Sequence, residues 1–191
     1  MVVLSSSILP ELRLSVEEYL QADLPEGQHY ELVDGAVDMS PTPDIGHDGT
    51  VNALYQALYE YGRAHTGAIA YISQRASVPI PAKETVREPD LAVYAKWGDR
   101  VQGWSAWLEL VPVLVAEVVS PSQAVRDYRD KRKDYWRAGI REYWIIDPDA
   151  RSVTVLTRGE KRWDKTVFTP DQEARSQVLP GFAVAVSRLL A

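Results

Sequence analysis

One apolar, largely β-branched run with a single carboxylate constrains the fold of this chain more than any other segment. Residues 113–119 read Val-Leu-Val-Ala-Glu-Val-Val and are followed by Ser120 and Pro121. Because polar side chains do not alternate along the run, it predicts a central strand buried on both faces. The carboxylate of Glu117 must then be hydrogen-bonded, paired or metal-bound, since an isolated buried charge is too costly. Glu117 is therefore the first candidate functional residue, and a structural ion pair with an arginine is the alternative.

A helix and a second apolar strand follow this run. The segment from Ser122 to about Ala138 is predicted to be a helix that Gly139 ends, and residues 142–146 form the next strand. A strand, a helix and a strand in this order form a right-handed crossover between parallel strands. The sequence therefore predicts an α/β fold whose sheet is parallel at its centre.

Capping and turn residues divide the rest of the chain into short elements. Ser15 and Glu18 have the spacing of a capping box and open a short helix, and Asp34-Gly35 suits a two-residue hairpin turn. Residues 83–85 are expected to be a polar loop and residues 95–109 an irregular excursion with a helical turn. The remaining predicted elements are a helix at 47–65, strands at 29–33, 36–39, 68–72, 75–80 and 91–94, an antiparallel β annex at 152–157, 162–168 and 175–178, and a terminal packing segment at 182–190.

The composition bounds the class of protein. With 191 residues, 46% of them hydrophobic and 25% charged, we expect a single domain over residues 1–191 with a loose lead-in at 1–12. The absence of cysteine excludes disulfides and thiolate metal sites, and fits a cytoplasmic protein. No apolar run is long enough to span a membrane. The net charge of −6 argues against a protein that coats nucleic acid non-specifically, but not against an enzyme that acts on it.

Acidic residues stand on three different predicted strands: Glu31, Asp90 and Glu117. Carboxylates that converge at strand ends make a hard-oxygen site for Mg²⁺ or Mn²⁺, which leaves positions open for water and phosphate. On the helix after Glu117, Lys131 shares a face with Asp127, which lies four residues earlier. A lysine there is placed to reach back over the strand end, where it would orient a water or neutralise charge on phosphate.

Structural explanations remain open for these residues. Asp90 would cap a turn, and Glu31 would be a solvated hairpin residue. Asp127 and Lys131 would form an exposed helical ion pair worth about 0.3–0.5 kcal/mol. His47, at a helix start, would be a capping or surface histidine, or else a contact to phosphate. Other enzyme classes are less favoured, because the sequence has no phosphate-binding Gly-Lys loop, nucleophile elbow or dinucleotide fingerprint.

The order of these motifs resembles a known family. Pro89-Asp90, followed by Glu117-Val118-Val119, a helix and a strand, is similar to the PD-(D/E)XK nuclease superfamily. A closer resemblance, from about Leu14 to Pro148, is to the Uma-two type of restriction endonuclease. It is carried by Tyr30-Glu31-Leu32-Val33-Asp34-Gly35, Glu88-Pro89-Asp90-Leu91, Glu117-Val118-Val119-Ser120-Pro121-Ser122, Asp127 with Lys131, and Tyr135 followed by Ala138-Gly139-Ile140-Arg141-Glu142-Tyr143-Trp144-Ile145-Ile146-Asp147-Pro148.

The resemblance implies a fold and an activity. The fold would be restriction-endonuclease-like, with a mixed central sheet flanked by helices. The activity would be Mg²⁺- or Mn²⁺-dependent hydrolysis of nucleic-acid phosphodiesters, with DNA favoured. Asp90, Glu117 and the backbone carbonyl of Val118 would be the metal ligands, with Glu31 nearby. A homodimer is expected because symmetric dimers are the commonest soluble oligomers and a duplex has two strands to cut.

The chain departs from the family pattern at one position. The lysine expected two residues after Glu117 is Val119, which has no polar group. Lys131 on the next helix is the candidate replacement, and Lys133, on a different face of that helix, is the weaker one. If neither lysine reaches the metal, the alternative is a catalytically inactive nuclease-fold module that binds a partner.

Overall fold

The computed structural model describes residues 12–26, 28–40, 44–96, 103–120 and 124–191. Three predicted features lie wholly or partly outside these ranges. They are the helix start at Ser122, the lead-in, and the excursion that begins at residue 95. In chain order the elements are α1 (Val16–Leu20), β1 (His29–Val33), β2 (Ala36–Ser40), α2 (Ile45–Ala64), β3 (Tyr71–Ser73), β4 (Val78–Ile80), β5 (Thr85–Arg87), β6 (Leu91–Tyr94), β7 (Leu114–Val118), a π-helical turn (Arg126–Lys131), α3 (Arg132–Arg137), β8 (Glu142–Asp147), β9 (Ser152–Arg158), β10 (Trp163–Phe168), β11 (Glu173–Arg175), β12 (Ala183–Ala185) and α4 (Val186–Leu189). We call the π-helical turn and α3 together the crossover helix.

A six-stranded mixed sheet with the order β10-β9-β8-β7-β6-β3 forms the centre of the fold. Its β7 and β8 are parallel, as the strand, helix and strand order predicts, and its other neighbours are antiparallel. The predicted antiparallel annex is corrected in one respect, because β9 and β10 pair onto β8 and so extend the central sheet. The separate antiparallel pair at the C-terminal end is β11 with β12.

The two faces of β7 pack against different helices. Leu114 and Val118 lie in an apolar cluster with residues of α2, whereas Val115 and Val119 cluster with Tyr135 of the crossover helix. Successive side chains of a strand point to opposite faces, so residue 117 shares the face of residues 115 and 119. The pleat therefore directs the carboxylate of residue 117 toward the crossover helix.

A second, four-stranded antiparallel sheet has the order β2-β1-β5-β4. Its Tyr30, Leu32 and Val86 pack with residues of α1, so the alternating positions Glu31 and Arg87 face the other way. The prediction of a polar loop at 83–85 is wrong for residue 85, because β5 begins there and is buried between β1 and β4. Three residues are too few for a periodic pattern, which is why this strand was not predicted.

The local turn and capping predictions are confirmed in detail. Ser15 and Glu18 form the capping box of α1, and Asp34 and Gly35 both adopt the positive φ values, 50° and 81°, of the hairpin turn. Helix α2 begins at residue 45 rather than 47, because the Asp44 side chain accepts the backbone N–H of His47. No helix within the described ranges is long and apolar enough to cross a bilayer.

Candidate functional site

The carboxylate of Glu117 lies between the central sheet and the crossover helix. It is 3% exposed, and Lys131 Nζ is 2.8 Å from its Oε2. Tyr135, one helical turn beyond Lys131, donates a short hydrogen bond from its hydroxyl to Oε1. Residues 131 and 135 reach the same carboxylate because they share the face that covers β7. The partner of Glu117 is therefore a lysine, and the alternative of an arginine partner is wrong.

Lys131 is surrounded by carboxylates. Its Nζ lies 2.8 Å from Glu117, 3.3 Å from Asp127 and 3.8 Å from Glu31. The pair with Asp127 is buried, so the alternative of an exposed helical ion pair is wrong. Burial alone would lower the pKa of Lys131, but the attraction of these carboxylates, Glu117 first, outweighs it and raises the pKa. The ammonium is therefore held in its charged form.

Asp90 connects the start of β6 to the end of β7. Its Oδ2 accepts a 2.7 Å hydrogen bond from the backbone N–H of Val118 and lies 3.2 Å from Nε2 of His47. A role as a turn cap is therefore wrong for Asp90. Burial opposes the charged form of His47, but the hydrogen bond to Asp90 and the carboxylate charges outweigh it and raise the pKa of the imidazole. His47 is thus a partner of the acidic cluster, which consists of Glu31, Asp90, Glu117 and Asp127. The sequence favoured a capping or surface histidine.

Glu31 is a buried member of the same cluster and not a solvated hairpin residue. Arg87 donates a 2.8 Å hydrogen bond to its Oε2, and Arg126 forms a short ion pair with the same oxygen. The backbone N–H of Glu88 donates to Oε1. Burial alone would raise the pKa of Glu31, but the charges of Lys131, Arg87 and Arg126 lower it to about 2. Glu31 is therefore ionised throughout the physiological pH range.

The two arginine partners of Glu31, Arg87 and Arg126, were not among the predicted site residues. Arg87 donates to Glu31 and, through Nε and Nη2, to Asp134 of α3, so one guanidinium joins the second sheet to the crossover helix. Arg87 and Glu31 lie 56 residues apart in the chain. The nearby Pro89-Asp90 motif marks the segment, but no sequence spacing indicates this pair.

Not all of the predicted site residues lie in one cluster. Glu31, His47, Asp90, Asp127 and Lys131 lie in a connected network around Glu117. Lys133 is exposed on another face of the crossover helix and lines a separate groove. The structure therefore leaves Lys131 as the lysine at the carboxylates.

The donor set can be tested against a divalent cation. Within the described ranges, no group of three or more His, Cys, Asp or Glu side chains is arranged as a metal site. Mg²⁺, however, needs one or two protein carboxylates and takes its other ligands from water or phosphate. Burial raises the pKa of Glu117 to about 8, with Asp90 adding to the effect and Lys131 opposing it, so a further cation would favour the ionised form. The carboxylate oxygens of Asp90 and Glu117 are of the chemical kind that a hard cation prefers.

The fold and this acidic site together define an α/β protein of the restriction-endonuclease-like class. A solved structure described as "a putative nuclease belonging to DUF820 from Anabaena variabilis ATCC 29413" superposes with a TM-score of 0.69 at 20% sequence identity, covering 93% of this chain and 97% of that chain. The Uma2 family model, described as "Putative restriction endonuclease", matches residues 16–187. The chain belongs to the Uma2 family, as its motifs predicted, and this family supports a nuclease. No curated protein matches the chain.

Proposed function

We propose that this protein is a metal-dependent endonuclease that hydrolyses phosphodiester bonds, with DNA as the favoured substrate. The contact between Lys131 Nζ and Glu117 Oε2, at 2.8 Å, carries the proposal. Through this contact the crossover helix supplies an ammonium to the acidic cluster. That ammonium replaces the lysine that the family pattern expects at position 119, which is Val119. Membership of the Uma2 family supports the same reaction class.

Asp90 and Glu117 would hold Mg²⁺ or Mn²⁺, with the backbone carbonyl of Val118 as a further ligand. The ion would supply Lewis-acid activation of the phosphate and a more acidic bound water. The chain fixes these ligands in relation to one another, because the N–H of Val118 donates to Asp90 and Tyr135 donates to Glu117. Such support keeps carboxylates in place before the substrate arrives.

Lys131 acts as a charged hydrogen-bond donor in this proposal and not as a general base. Its pKa is raised by the surrounding carboxylates, so the amine does not give up its proton near neutral pH. A fixed ammonium orients the attacking water and offsets the negative charge that develops on the phosphate. Asp127 and Glu31, at 3.3 Å and 3.8 Å from its Nζ, hold the ammonium in position.

Substitution of Glu117 tests the proposal. The variant Glu117→Gln keeps the size of the side chain but removes its charge and replaces one of its two acceptor oxygens with a donor amide. We expect Mg²⁺-dependent cleavage of plasmid DNA by the purified protein to fall at least a hundredfold while circular dichroism is unchanged. The control Glu17→Gln alters an exposed carboxylate on α1 and is expected to cleave like the wild type. Wild-type cleavage by Glu117→Gln would reject the assignment.

A calorimetric metal titration separates this function from its alternative. The buried, apolar Val119 is the observation that favours a catalytically inactive nuclease-fold binding module. If Mg²⁺ and Mn²⁺ show no binding at millimolar concentration, the alternative is favoured.

Cleavage assays with matched DNA and RNA duplexes test the substrate. A homodimer and a cytoplasmic location also remain proposals, supported by the two strands of a duplex and by the absence of cysteine.

A further inference from the structure

A basic groove lies on the outer side of the crossover helix. It has a volume of about 430 Å³ and is bounded by this helix and by residues 161–163, where the chain enters β10. Six of its lining side chains are cationic: Arg129, Arg132, Lys133, Arg137, Lys161 and Arg162. A chain with a net charge of −6 thus gathers six of its 21 lysines and arginines along one groove.

The basic groove is separate from the acidic cluster. Lys131, Asp134 and Tyr135 are buried toward the sheets, whereas Arg132 and Lys133 line the groove. Consecutive residues of a helix are rotated by about 100°, so the two sets of side chains project from different faces. The crossover helix therefore presents one face to the acidic cluster and another to the groove.

Most of the groove's positive charge is not neutralised by the protein itself. Arg129 pairs with Asp130, and Arg137 pairs with Asp134 at 3.3 Å. The other four cations of the groove form no ion pair with any residue that the structure describes. Charges left without an internal partner at a concave surface produce a positive potential that attracts an anion.

Aromatic side chains form a rigid wall of the basic groove. Trp136 and Trp163 contact each other edge to face, with ring centroids 5.2 Å apart. The indole N–H of Trp163 donates to the backbone carbonyl of Arg132 at 3.0 Å. Arg158 stacks on Trp136, with its guanidinium carbon 4.0 Å from the ring centroid. These contacts fix the indoles in place before any ligand binds.

We propose that the basic groove binds the sugar–phosphate backbone of a nucleic-acid strand, away from the bond that is cut. The inference rests on the proposed function for the identity of its ligand. Binding of a backbone needs cations that neutralise phosphates. The groove supplies them along a wall that the packed indoles keep rigid. The acidic cluster, in contrast, would repel phosphates except where the cations of the site lie.

The arrangement of the cations favours a strand over a single anion. Residues 129 to 137 span eight positions of the crossover helix, or about 12 Å at 1.5 Å per residue. Charges along one strand of a duplex recur about every 3.4 Å along the axis. A row of cations of this length covers several successive phosphates, whereas a free phosphate or mononucleotide needs cations that converge on one point.

Neutralisation of two groove cations tests the proposal. Lys161 and Arg162 are exposed on the β9–β10 connection, so the double variant Lys161→Gln/Arg162→Gln is expected to fold normally. Affinity is measured by fluorescence anisotropy with a labelled single-stranded DNA oligonucleotide, without divalent metal, across a salt series. We expect the Kd to rise about tenfold at low salt, and the slope of log affinity against log salt to fall by about 1.4, or about 0.7 for each lost phosphate contact.

A matched control removes the same charge from the opposite side of the central sheet. Arg63→Gln/Arg188→Gln alters exposed residues of α2 and α4, and we expect its Kd to remain within twofold of the wild type. An equal loss of affinity in both double variants would overturn the proposal, as would no loss in the groove variant.

Two further outcomes would also overturn it. One is displacement of the oligonucleotide by micromolar adenosine monophosphate, which would make the groove a mononucleotide site. The other is a wild-type dimer in light scattering that the groove substitutions dissociate while DNA affinity is unchanged, which would make the groove an interface between copies. Because binding is measured without metal, a wild-type protein that binds DNA but does not cleave it would reject the proposed function alone.

Discussion

Val119 and Lys131 lie on the same side of the central sheet although they belong to different elements. Val119, the residue after β7, packs in an apolar cluster with Val115 and Ile145 and brings no charge to the site. Lys131 brings its ammonium to Glu117 from the helix that covers the strand. The acidic cluster thus obtains one fixed positive charge whose position depends on packing between a helix and a sheet.

Removal of that ammonium is expected to destabilise the protein as well as to impair its activity. In Lys131→Met the carboxylates of Glu117 and Asp127 lose a partner at 2.8 Å and 3.3 Å while they remain buried. Breaking a buried ion pair on one side costs about 3–5 kcal/mol. Urea denaturation at pH 7 measures the change, with the exposed Lys165→Met as a control that should alter stability by less than about 0.5 kcal/mol. A loss below 1 kcal/mol would contradict the prediction.

Glu31 is expected to contribute a pH-dependent part of the stability. Its pKa is lowered to about 2 in the folded protein, from 4.5 for the free side chain. A lowered folded pKa stabilises the protein above pH 4.5, and this stabilisation disappears as the pH falls from 4.5 to 2. The shift corresponds to about 3 kcal/mol. Denaturation between pH 7 and pH 2 should show that the free energy of unfolding falls more steeply with acid in the wild type than in Glu31→Gln. Parallel profiles for the two proteins would contradict the prediction.

The crossover helix is the element that organises the site. Its first part, Arg126–Lys131, is a π-helical turn that carries both Asp127 and Lys131, and such turns occur frequently at functional sites. Its end is fixed by Gly139, whose φ of +83° places the following residues at the start of β8. A positive φ at this position suits glycine, because a Cβ crowds the backbone there.

Glycine substitutions at two places are expected to act in opposite directions. Gly139→Ala should destabilise the protein by about 1–2 kcal/mol, because alanine is strained at a φ of +83°. Gly49→Ala lies within α2, where an added Cβ meets no atom within 4 Å, and should stabilise the protein by up to about 1 kcal/mol. Thermal denaturation of both variants measures the difference, and shifts of the same sign would contradict it.

At the scale of the whole molecule, Arg87 joins the second sheet to the crossover helix. Its guanidinium donates to Glu31 on β1 and to Asp134 on α3, and Lys83 adds a contact to Asp134 at 3.1 Å. Arg126 reaches back from the crossover helix to Asp38 on β2 at 2.8 Å. The position of the four-stranded sheet against the site is therefore held by ion pairs and not by apolar packing alone.

Removal of Arg87 should weaken this junction. In Arg87→Met, Glu31 and Asp134 stay buried while each loses a hydrogen-bonded guanidinium, so we expect a loss of about 3–5 kcal/mol. Relative to the wild type, the variant should show a larger increase in amide hydrogen-exchange rate in β1 and β5 than in β7. The exposed Arg141→Met is the control and should behave like the wild type. Uniform changes across both sheets would indicate that the junction is not held in this way.

The features that could be predicted from the sequence are those that local chemistry encodes. The capping box at Ser15, the hairpin turn at Asp34-Gly35 and the buried strand around Glu117 each depend on residues within a few positions of one another. The strand, helix and strand order fixed the parallel pair β7 and β8, and the motifs identified the family. Glu117 stood out because a charge inside an apolar run has to be compensated.

How that charge is compensated depends on tertiary packing. The helical spacing placed Lys131 on a suitable face, but its contact with Glu117 depends on how the crossover helix packs on β7. The partners of Glu31 depend on long-range packing, since Arg87 and Arg126 lie 56 and 95 residues away in the chain. Such pairs arise from the alignment of separate elements, which no local period encodes. The sequence therefore specified which groups need a partner, and the packing of sheet and helix selected the partner.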